Sequence, residues 1–309
     1  MTMKLHGLVA ATHTPFNSDG ELNLGIVEKQ VEHLLADDVR TAFIGGTTGE
    51  CHSLTIGERL ALSQRWADVV RGSQMHFIVH VGSNCLADAR RLASQAQSIG
   101  ATAIAALAPS YFKPKTLDAL IECCADVAGA APGLPFYFYD IPGFTGVQFP
   151  MPDFLTCAAD RIPTLAGIKF TNPDLMAYQK CLRAQAGRFD IPWGMDEFLL
   201  AALALGAVGA VGSSYNFAAP LYHRVMAAYH KADMATARDE QFRSIELIEL
   251  LARFGYMVAA KATMRFLGVQ VGTARLPHTN LTAEQSKQLR AALERMDFFG
   301  RVRSTPLQR

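Results

Sequence analysis

One lysine lies within an otherwise apolar stretch, and its type and position make it the first candidate for chemistry. The stretch, residues 165–171, has the sequence LAGIKFT and indicates a buried strand with Lys169 near its C-terminal end. Lysine is seldom fully buried, because removing its ammonium group from water is costly. A buried lysine is often neutral, and a neutral amine attacks carbonyl carbons. The local sequence also allows a second interpretation, in which the stem packs on the core and the charge reaches solvent.

Two adjacent hydroxyl residues lie between glycines after another apolar run. They are Thr47 and Thr48, in the segment GGTTGE of residues 45–50. Glycines there let the backbone approach a ligand closely, and amides in such a loop can bind a carboxylate. A plain turn would also explain the glycines. The threonine pair favours a binding loop, because β-branched residues are poor turn formers.

Tyrosines and carboxylates follow two further apolar runs. Tyr137 and Tyr139 point to the same face of one predicted strand. A phenol near an amine could shuttle protons, although aromatic packing with a polar tip is an equal alternative. Asp196 and Glu197 form a carboxylate pair that would repel phosphate and accept hydrogen bonds from hydroxyls, which favours a polyol ligand. Helix capping is a second interpretation of Asp196.

All these candidates lie at the C-terminal ends of predicted strands. Short apolar runs alternate with longer amphipathic segments, which predicts an α/β fold with a parallel sheet. Eight strands at near-regular intervals favour a (β/α)8 TIM barrel, whose catalytic groups lie at those strand ends. A doubly wound sheet is disfavoured, because no G-x-G-x-x-G follows the first strand. The predicted strands are residues 7–14, 41–47, 76–82, 103–108, 135–140, 166–171, 188–194 and 207–213.

Helices are predicted between the strands and throughout the C-terminal part of the chain. Candidate capping residues precede two of them, in the run 53–55 and at Thr116. We expect a barrel in residues 1–230 and a C-terminal helical region, a small appendage, in residues 231–309. The predicted helices include residues 23–37, 54–71, 87–99 and 117–130, and then 221–230, 235–254, 257–267 and 282–295.

Composition argues against several classes of function. The 309 residues have a formal net charge of +1 and no basic stripe, so a nucleic-acid partner is not expected. The longest apolar run, residues 198–212, is too short to span a bilayer, so no membrane partner is expected. The histidines are dispersed, and no metal site is predicted. Six scattered cysteines and an N-terminus without a signal-peptide core predict a cytoplasmic protein.

Four short motifs occur together along the chain, and jointly they are specific although each alone is weak. They are Gly46-Thr47-Thr48-Gly49-Glu50, Tyr139-x-Ile141-Pro142-x-x-Thr145-Gly146, Gly167-Ile168-Lys169 and Gly212-Ser213. With them, the chain resembles the dihydrodipicolinate synthase and N-acetylneuraminate lyase superfamily of class I aldolases. The resemblance extends from about residue 7 to residue 268, which is nearly the whole chain.

The resemblance implies a mechanism and an assembly. Lys169 would form a Schiff base with a 2-keto acid, and Tyr139, relayed by Thr47, would shuttle protons. Thr47 and Thr48 would bind the carboxylate, and no metal or organic cofactor would be needed. The partners implied are small molecules, pyruvate and a sugar aldehyde. A homotetramer is also implied, in which Tyr111 reaches into a neighbouring site.

Details of the motifs favour the lyase branch of this superfamily. Dihydrodipicolinate synthases usually carry an arginine where this chain has Phe144, which disfavours that activity. The resemblance implies that an acidic pair and a serine bind the polyhydroxy tail of a sugar acid. The lyase-like residues are Thr171, Gly194, Asp196, Glu197 and Ser213.

Two substitutions keep other activities open. Phe144 is bulkier than the usual leucine, and Asp140 replaces the usual asparagine or histidine. Both could reshape the pocket for another 2-keto-3-deoxy sugar acid, cleaved by an aldolase or dehydrated. A catalytically silent binding protein is a further alternative, and retention of Lys169 and Tyr139 argues against it.

Overall fold

Seven parallel strands form the centre of the computed structural model, which describes residues 4–302. They are β1 (Gly7–Ala11), β2 (Thr41–Ile44), β3 (His76–His80), β4 (Ala103–Leu107), β5 (Phe136–Asp140), β6 (Leu165–Phe170) and β7 (Gly209–Gly212). Their order in the sheet is β6-β5-β4-β3-β2-β1-β7. Consecutive strands lie side by side up to β6, and β1 also pairs with β7. The sheet therefore curves into a ring that is open only between β6 and β7.

The segment predicted as a strand at residues 188–194 closes this ring without forming a continuous ladder. Its pairing consists of isolated bridges, in which Trp193 lies opposite both Phe170 of β6 and Ala210 of β7. Pro192 explains the interruption, because it has no N–H to donate into the ladder. All eight predicted strand segments thus surround one centre, and the predicted (β/α)8 barrel is confirmed.

Helices cover the outside of the barrel and continue beyond it. They are α1 (Val27–Ala36), α2 (Ile56–Val70), α3 (Leu86–Ser98), α4 (Leu117–Gly129), α5 (Pro142–Thr145), α6 (Met151–Ala158), α7 (Leu175–Arg183), α8 (Leu199–Leu205), α9 (Tyr215–His230), α10 (Met234–Arg253), α11 (Tyr256–Phe266), α12 (Ala283–Arg295) and α13 (Phe298–Val302). Short 3₁₀ turns lie at Leu24–Ile26, Cys51–Ser53, Ala184–Gly187 and Asp196–Phe198. Among the helices of residues 4–302, none is long and apolar enough to cross a membrane.

The predicted C-terminal helices are present in the structure, whereas the predicted domain boundary is not tested by it. The helices α10, α11 and α12 correspond to the predicted segments, and α9 begins earlier than predicted, at Tyr215. The boundary at residue 230 stays a prediction. The outer ends of both predicted domains, residues 1–3 and 303–309, lie outside the described residues.

Side-chain caps fix the starts of two helices where the sequence predicted them. Thr55 accepts a hydrogen bond from the Glu58 N–H, and the Glu58 carboxylate accepts one from the Thr55 N–H at 2.8 Å. Thr116 accepts a hydrogen bond from the Ala119 N–H at 3.1 Å. Such caps satisfy backbone donors that have no partner inside the helix, so α2 and α4 begin at defined positions.

Two tyrosines of β5 point into the barrel, and their surroundings separate their roles. Both belong to the apolar cluster inside the ring. Tyr137 donates a hydrogen bond to Oδ2 of buried Asp190 at 2.9 Å, and the same oxygen accepts one from the Leu5 N–H at 2.8 Å. Tyr137 is therefore a packing residue with a satisfied polar tip, whereas Tyr139 lies one strand pleat closer to the C-terminal end.

A buried ion pair attaches the C-terminal helices to the barrel. Lys261 of α11 lies 2.6 Å from the Glu50 carboxylate, and both side chains are 1 % exposed. Lys261 also donates hydrogen bonds to the carbonyls of Thr14 at 3.0 Å and Thr273 at 2.8 Å. Glu50 accepts a further bond from the Arg275 N–H at 2.8 Å. Helix α11 and the loop between α11 and α12 are thus fixed to the loop that follows β2.

Candidate active site

Lys169 lies near the C-terminal end of β6, inside the barrel, and is only 4 % exposed. Its Nζ lies 3.5 Å from the centre of the Tyr139 ring and donates a hydrogen bond to Thr171 Oγ1 at 3.1 Å. Burial lowers the pKa of Lys169 to about 7, and the negative charge of Asp196 opposes this shift. The interpretation in which its charge reaches solvent is therefore wrong. At neutral pH a large fraction of this amine is uncharged and nucleophilic.

Tyr139 and Thr47 form a polar pair beside the amine. The phenol Oη and Thr47 Oγ1 are 3.3 Å apart. Burial raises the pKa of Tyr139 well above its ordinary value, although the hydrogen bond with Thr47 opposes this. Phe43 and His80 contact the ring edge to face. The phenol thus keeps its proton and is held in one orientation, which suits a group that passes protons between neighbours.

The loop after β2 places Thr47 and Thr48 beside the cavity that contains Lys169. Gly45 begins the loop with φ of +62°, a conformation that favours glycine. A Cβ at Gly49 would lie 3.1 Å from the Gly45 backbone, so the loop is too tight there for a side chain. Both threonines are half-buried and border the open space above Lys169. This tight turn agrees with a loop shaped to approach a ligand.

Asp196 is buried and is held by main-chain and side-chain donors. Its Oδ2 accepts hydrogen bonds from the Ser214 N–H at 2.9 Å and from the Ser214 hydroxyl. Burial raises the pKa of Asp196 to about 6, while the bonds from Ser214 lower it. Its side chain makes no helix cap, so the capping interpretation is wrong. Glu197 follows it and is half-buried.

Two glycines leave room for these side chains. A Cβ at Gly194 would lie 2.0 Å from Thr171 Oγ1, the atom that accepts the lysine hydrogen bond. A Cβ at Gly212 would lie 1.9 Å from Asp196 Oδ1. Any larger residue at either position would displace a polar group from the site. Gly194 belongs to the predicted site through its motif, and these distances give the physical reason for a glycine there.

A cavity of about 820 Å³ opens above Lys169 at the C-terminal end of the barrel. Its volume suits a ligand larger than pyruvate alone. All but one of the predicted site residues line it. They are Thr47, Thr48, Tyr139, Phe144, Lys169, Thr171, Gly194, Asp196, Glu197 and Ser213.

Tyr111 is the predicted site residue that does not line this cavity within one chain. It lies in the loop before α4, with 78 % of its surface exposed, and packs edge to face on Phe112, which is 87 % exposed. Its predicted contact with a neighbouring site is not tested by a single chain. The role of Tyr111 therefore stays a prediction.

One wall of the cavity comes from a part of the chain where no site residue was predicted. The segment between α10 and α11 and the loop before α12 both reach the opening, and Ser213 Oγ lies 2.8 Å from the phenol oxygen of Tyr256. The only signal in the sequence was a polar run after Pro277, which indicates a loop but not its position. The lining residues from these regions are Ile248, Phe254, Gly255, Tyr256, Met257, Val258, Pro277, His278, Thr279, Asn280, Leu281 and Gln285.

Metal ligands do not cluster in the part of the chain that the structure describes. Among residues 4–302, no group of three or more histidine, cysteine or acidic side chains is arranged to hold a metal ion. His80, which shares a strand face with His76, places its Nδ1 2.9 Å from the Gly45 carbonyl. That nitrogen therefore stabilises the loop after β2 and supports the threonine pair.

Comparison with known families agrees with this geometry. The model of the Dihydrodipicolinate synthetase family matches residues 4–296. The chain belongs to the dihydrodipicolinate synthetase family. The N-acetylneuraminate lyase of Gallus gallus is 40 % identical to this chain over 295 residues, which cover 94 % of this chain and 96 % of that protein.

Solved structures share both the fold and much of the sequence. The N-acetylneuraminate lyase of Proteus mirabilis superposes with a TM-score of 0.93 and is 38 % identical, covering 96 % of this chain and 100 % of that one. The N-acetylneuraminate lyase (sialic acid aldolase) of Aliivibrio salmonicida has a TM-score of 0.93 and 40 % identity, covering 96 % of this chain and 98 % of that one. This member of the dihydrodipicolinate synthetase family is thus similar to sialic acid aldolases along nearly its whole length.

Proposed function

We propose that the chain is an N-acetylneuraminate lyase, a carbon–carbon lyase that cleaves N-acetylneuraminate reversibly to pyruvate and N-acetylmannosamine. The observation that carries this proposal is the buried amine of Lys169, with a pKa of about 7, at the base of a large cavity that several polar side chains border. A class I aldolase requires such an amine, because only the neutral form attacks a ketone. Similarity to named lyases of three organisms supports the choice of substrate.

The first steps use the lysine as a nucleophile. The neutral Nζ of Lys169 attacks the C2 ketone of the substrate, and loss of water gives a protonated iminium. The iminium then accepts the electron pair released when the C3–C4 bond breaks. An enamine of pyruvate forms instead of a bare carbanion, and its protonation and hydrolysis return the free amine.

Cleavage also requires removal of the proton from the C4 hydroxyl. Tyr139 is the group best placed for this transfer, with Thr47 3.3 Å from its oxygen as a relay. Because burial raises the pKa of this phenol, Tyr139 must pass on one proton as it accepts another. The carboxylate of the substrate, bound at Thr47 and Thr48, is available to assist this transfer.

The remaining predicted residues bind the rest of the sugar acid. Asp196 and Glu197 offer acceptor oxygens to the hydroxyl groups of the tail, and Ser213 lies beside them. Gly194 and Thr171 border the passage between the lysine and this acidic pair. Phe144 lies at the rim, 76 % exposed, and limits the shape of the aldehyde part.

Reduction with borohydride in the presence of pyruvate tests the proposal. We expect one adduct per chain, located at Lys169 by peptide mass spectrometry, and cleavage of N-acetylneuraminate by the same preparation. Lys169→Ala should abolish both, whereas Lys180→Ala, which removes an exposed lysine of α7, should change neither. Absence of an adduct at Lys169 would refute the aldolase mechanism itself.

A second candidate function uses the same lysine on another 2-keto-3-deoxy sugar acid, as an aldolase or a dehydratase. The bulky Phe144 at the cavity rim favours it. Asp140 is the second substitution relative to the usual motif. Burial raises the pKa of its carboxyl group to about 6. A panel of sugar acids separates the two functions. Turnover of a 2-keto-3-deoxy hexonate without turnover of N-acetylneuraminate would replace the first candidate by the second.

We further propose a homotetramer in the cytoplasm. The adjacent and highly exposed rings of Tyr111 and Phe112 support an interface between copies of the chain, because burying two such rings removes apolar surface from water. Cysteines that remain free support a reducing compartment.

A further inference from the structure

The hydrogen bond between Ser213 and Tyr256 joins the barrel to the C-terminal helices inside the cavity. Ser213 follows β7, whereas Tyr256 is the first residue of α11. Their hydroxyl oxygens are 2.8 Å apart, and both residues line the cavity. The charges of Asp196 and Glu197 act on this phenol, which therefore lies in the part of the cavity that the acidic pair borders.

The charges around Tyr256 determine what it offers a ligand. Burial raises the pKa of this phenol strongly, and the negative charges of Asp196 and Glu197 raise it further. The phenol thus keeps its O–H at neutral pH. Carboxylates only accept hydrogen bonds, and a hydroxyl can donate one and accept two.

Several further polar side chains line this side of the cavity, among them His278, Thr279 and Gln285. Asn280 also lines the opening, but its amide is engaged at both ends, bonding the carbonyl and the N–H of Ala274 at 2.8 and 2.9 Å. In the pair formed by Ser213 and Tyr256, one O–H is used between the partners. The other O–H can be donated to Ser214, which also bonds Tyr256, or to a ligand hydroxyl near Asp196 and Glu197.

We propose that Tyr256 is a specificity residue, whose phenol hydrogen-bonds a hydroxyl of the substrate tail and holds Ser213 in place for a second contact. This inference rests on the proposed function, since it assumes a polyhydroxylated aldehyde part. Vicinal hydroxyl groups, each of which donates and accepts, match a surface that combines carboxylates with a donor. Tyr256 plays no part in forming the Schiff base.

The experiment compares cleavage of N-acetylneuraminate, which carries the polyhydroxy tail, with a reaction of pyruvate, which has no tail. Exchange of the C3 protons of pyruvate for deuterium, followed by NMR, needs only the enamine at Lys169. Tyr256→Phe should leave this exchange rate within about twofold of wild type. The same variant should lower kcat/KM for N-acetylneuraminate roughly 10-fold or more, mainly through KM, because a buried bonding partner is lost.

Controls separate binding from positioning and from misfolding. Tyr229→Phe, a tyrosine of α9 away from the cavity, should match wild type in every assay. Ser213→Ala, alone and combined with Tyr256→Phe, completes a double-mutant cycle. If the double variant equals Ser213→Ala alone, Tyr256 acts only through Ser213 and the direct contact with substrate is refuted.

The outcomes distinguish this inference from the proposed function. Equal kcat/KM for wild type and Tyr256→Phe, with normal cleavage of N-acetylneuraminate, overturns the inference and leaves the function intact. If the wild type cleaves a different sugar acid, the same comparison is made with that acid. If wild type neither exchanges pyruvate protons nor forms an adduct, both are refuted.

Discussion

At the scale of the residue, the reactivity of Lys169 comes from burial. No second cation is needed to lower its pKa, because an ammonium group loses its hydration inside the barrel. The aromatic face of Tyr139 at 3.5 Å and the charge of Asp196 favour the protonated form and limit the shift. Near neutral pH the amine therefore exists in both its protonated form and its neutral, nucleophilic form.

This balance predicts a pH dependence. The neutral fraction of the amine grows as the pH rises, so deuterium exchange at pyruvate C3 should accelerate through about pH 7 and level off above it. A lysine with its ordinary pKa of 10.5 would instead show the rise in strongly alkaline solution. A midpoint near that value, measured by NMR over a series of buffers, would show that burial does not control the amine.

Asp196→Asn tests the opposing charge. Removal of this negative charge should lower the pKa of Lys169 further, so the midpoint of the same profile should move to lower pH. Glu197→Gln is the matched control, because Asp196 is the charge that acts on Lys169. A midpoint that stays in place for Asp196→Asn contradicts the electrostatic account.

The two tyrosines of β5 provide another test. Tyr139→Phe should lower kcat for cleavage by roughly 10²- to 10⁴-fold, the usual contribution of proton transfer by a positioned group, while borohydride still traps pyruvate at Lys169. Tyr137→Phe removes the hydrogen bond to Asp190. We expect near-normal kcat for that variant and a loss of about 1 kcal/mol in the free energy of unfolding. Equal kcat losses for both variants would contradict the assigned roles.

At the scale of the element, the ion pair between Lys261 and Glu50 is a long-range connection that holds α11 on the barrel. Two charges with 1 % exposure are stable only while both are present. The other hydrogen bonds of Lys261 go to neutral backbone carbonyls, which cannot replace the negative charge of Glu50. The far wall of the cavity depends on this pair for its position.

Lys261→Met should therefore destabilise the protein by about 3–5 kcal/mol, because it leaves the Glu50 carboxylate buried without its partner. Urea unfolding followed by circular dichroism measures the change. Adding Glu50→Gln in the same chain should recover part of the loss. Lys287→Met, an exposed site on α12, should stay within about 0.5 kcal/mol of wild type. A similar small effect for Lys261→Met would contradict this role.

The sequence was sufficient for the barrel because its signals are local. Apolar runs of strand length, capping residues such as Thr55 and the polar ends of strands each follow from neighbours along the chain. Two features were not predictable in this way. Pro192 interrupts a ladder that forms only when β6 and β7 are already in place. Tyr256 reaches the cavity because distant contacts position α11, and no periodicity along the chain encodes such a contact.

At the scale of the whole molecule, the exposed aromatic surface bears on how copies of the chain assemble. The exposed rings of Tyr111 and Phe112 lie in the loop before α4, outside the cavity of their own chain. If they meet a copy of the same loop, burial of both rings would stabilise the contact by several kcal/mol. This patch is the surface on which the proposed tetramer is most easily tested.

Sedimentation velocity should accordingly give a mass about four times the 33.6 kDa of one chain. Phe112→Asp should shift the distribution to smaller species and reduce cleavage. Phe242→Asp places the same charge at another exposed phenylalanine, on α10, and should alter neither property. A monomer at micromolar concentration with full activity would contradict the proposed assembly.

The cavity has walls from two separate stretches of chain, and this has a consequence for redesign. On the proposed function, the barrel strands carry the groups that handle the keto-acid donor, whereas residues 254–258 and 277–281 face the acceptor aldehyde. A combinatorial library confined to these two short stretches would vary the acceptor while leaving the donor chemistry untouched. New carbon–carbon bonds to pyruvate could then be sought without rebuilding the catalyst.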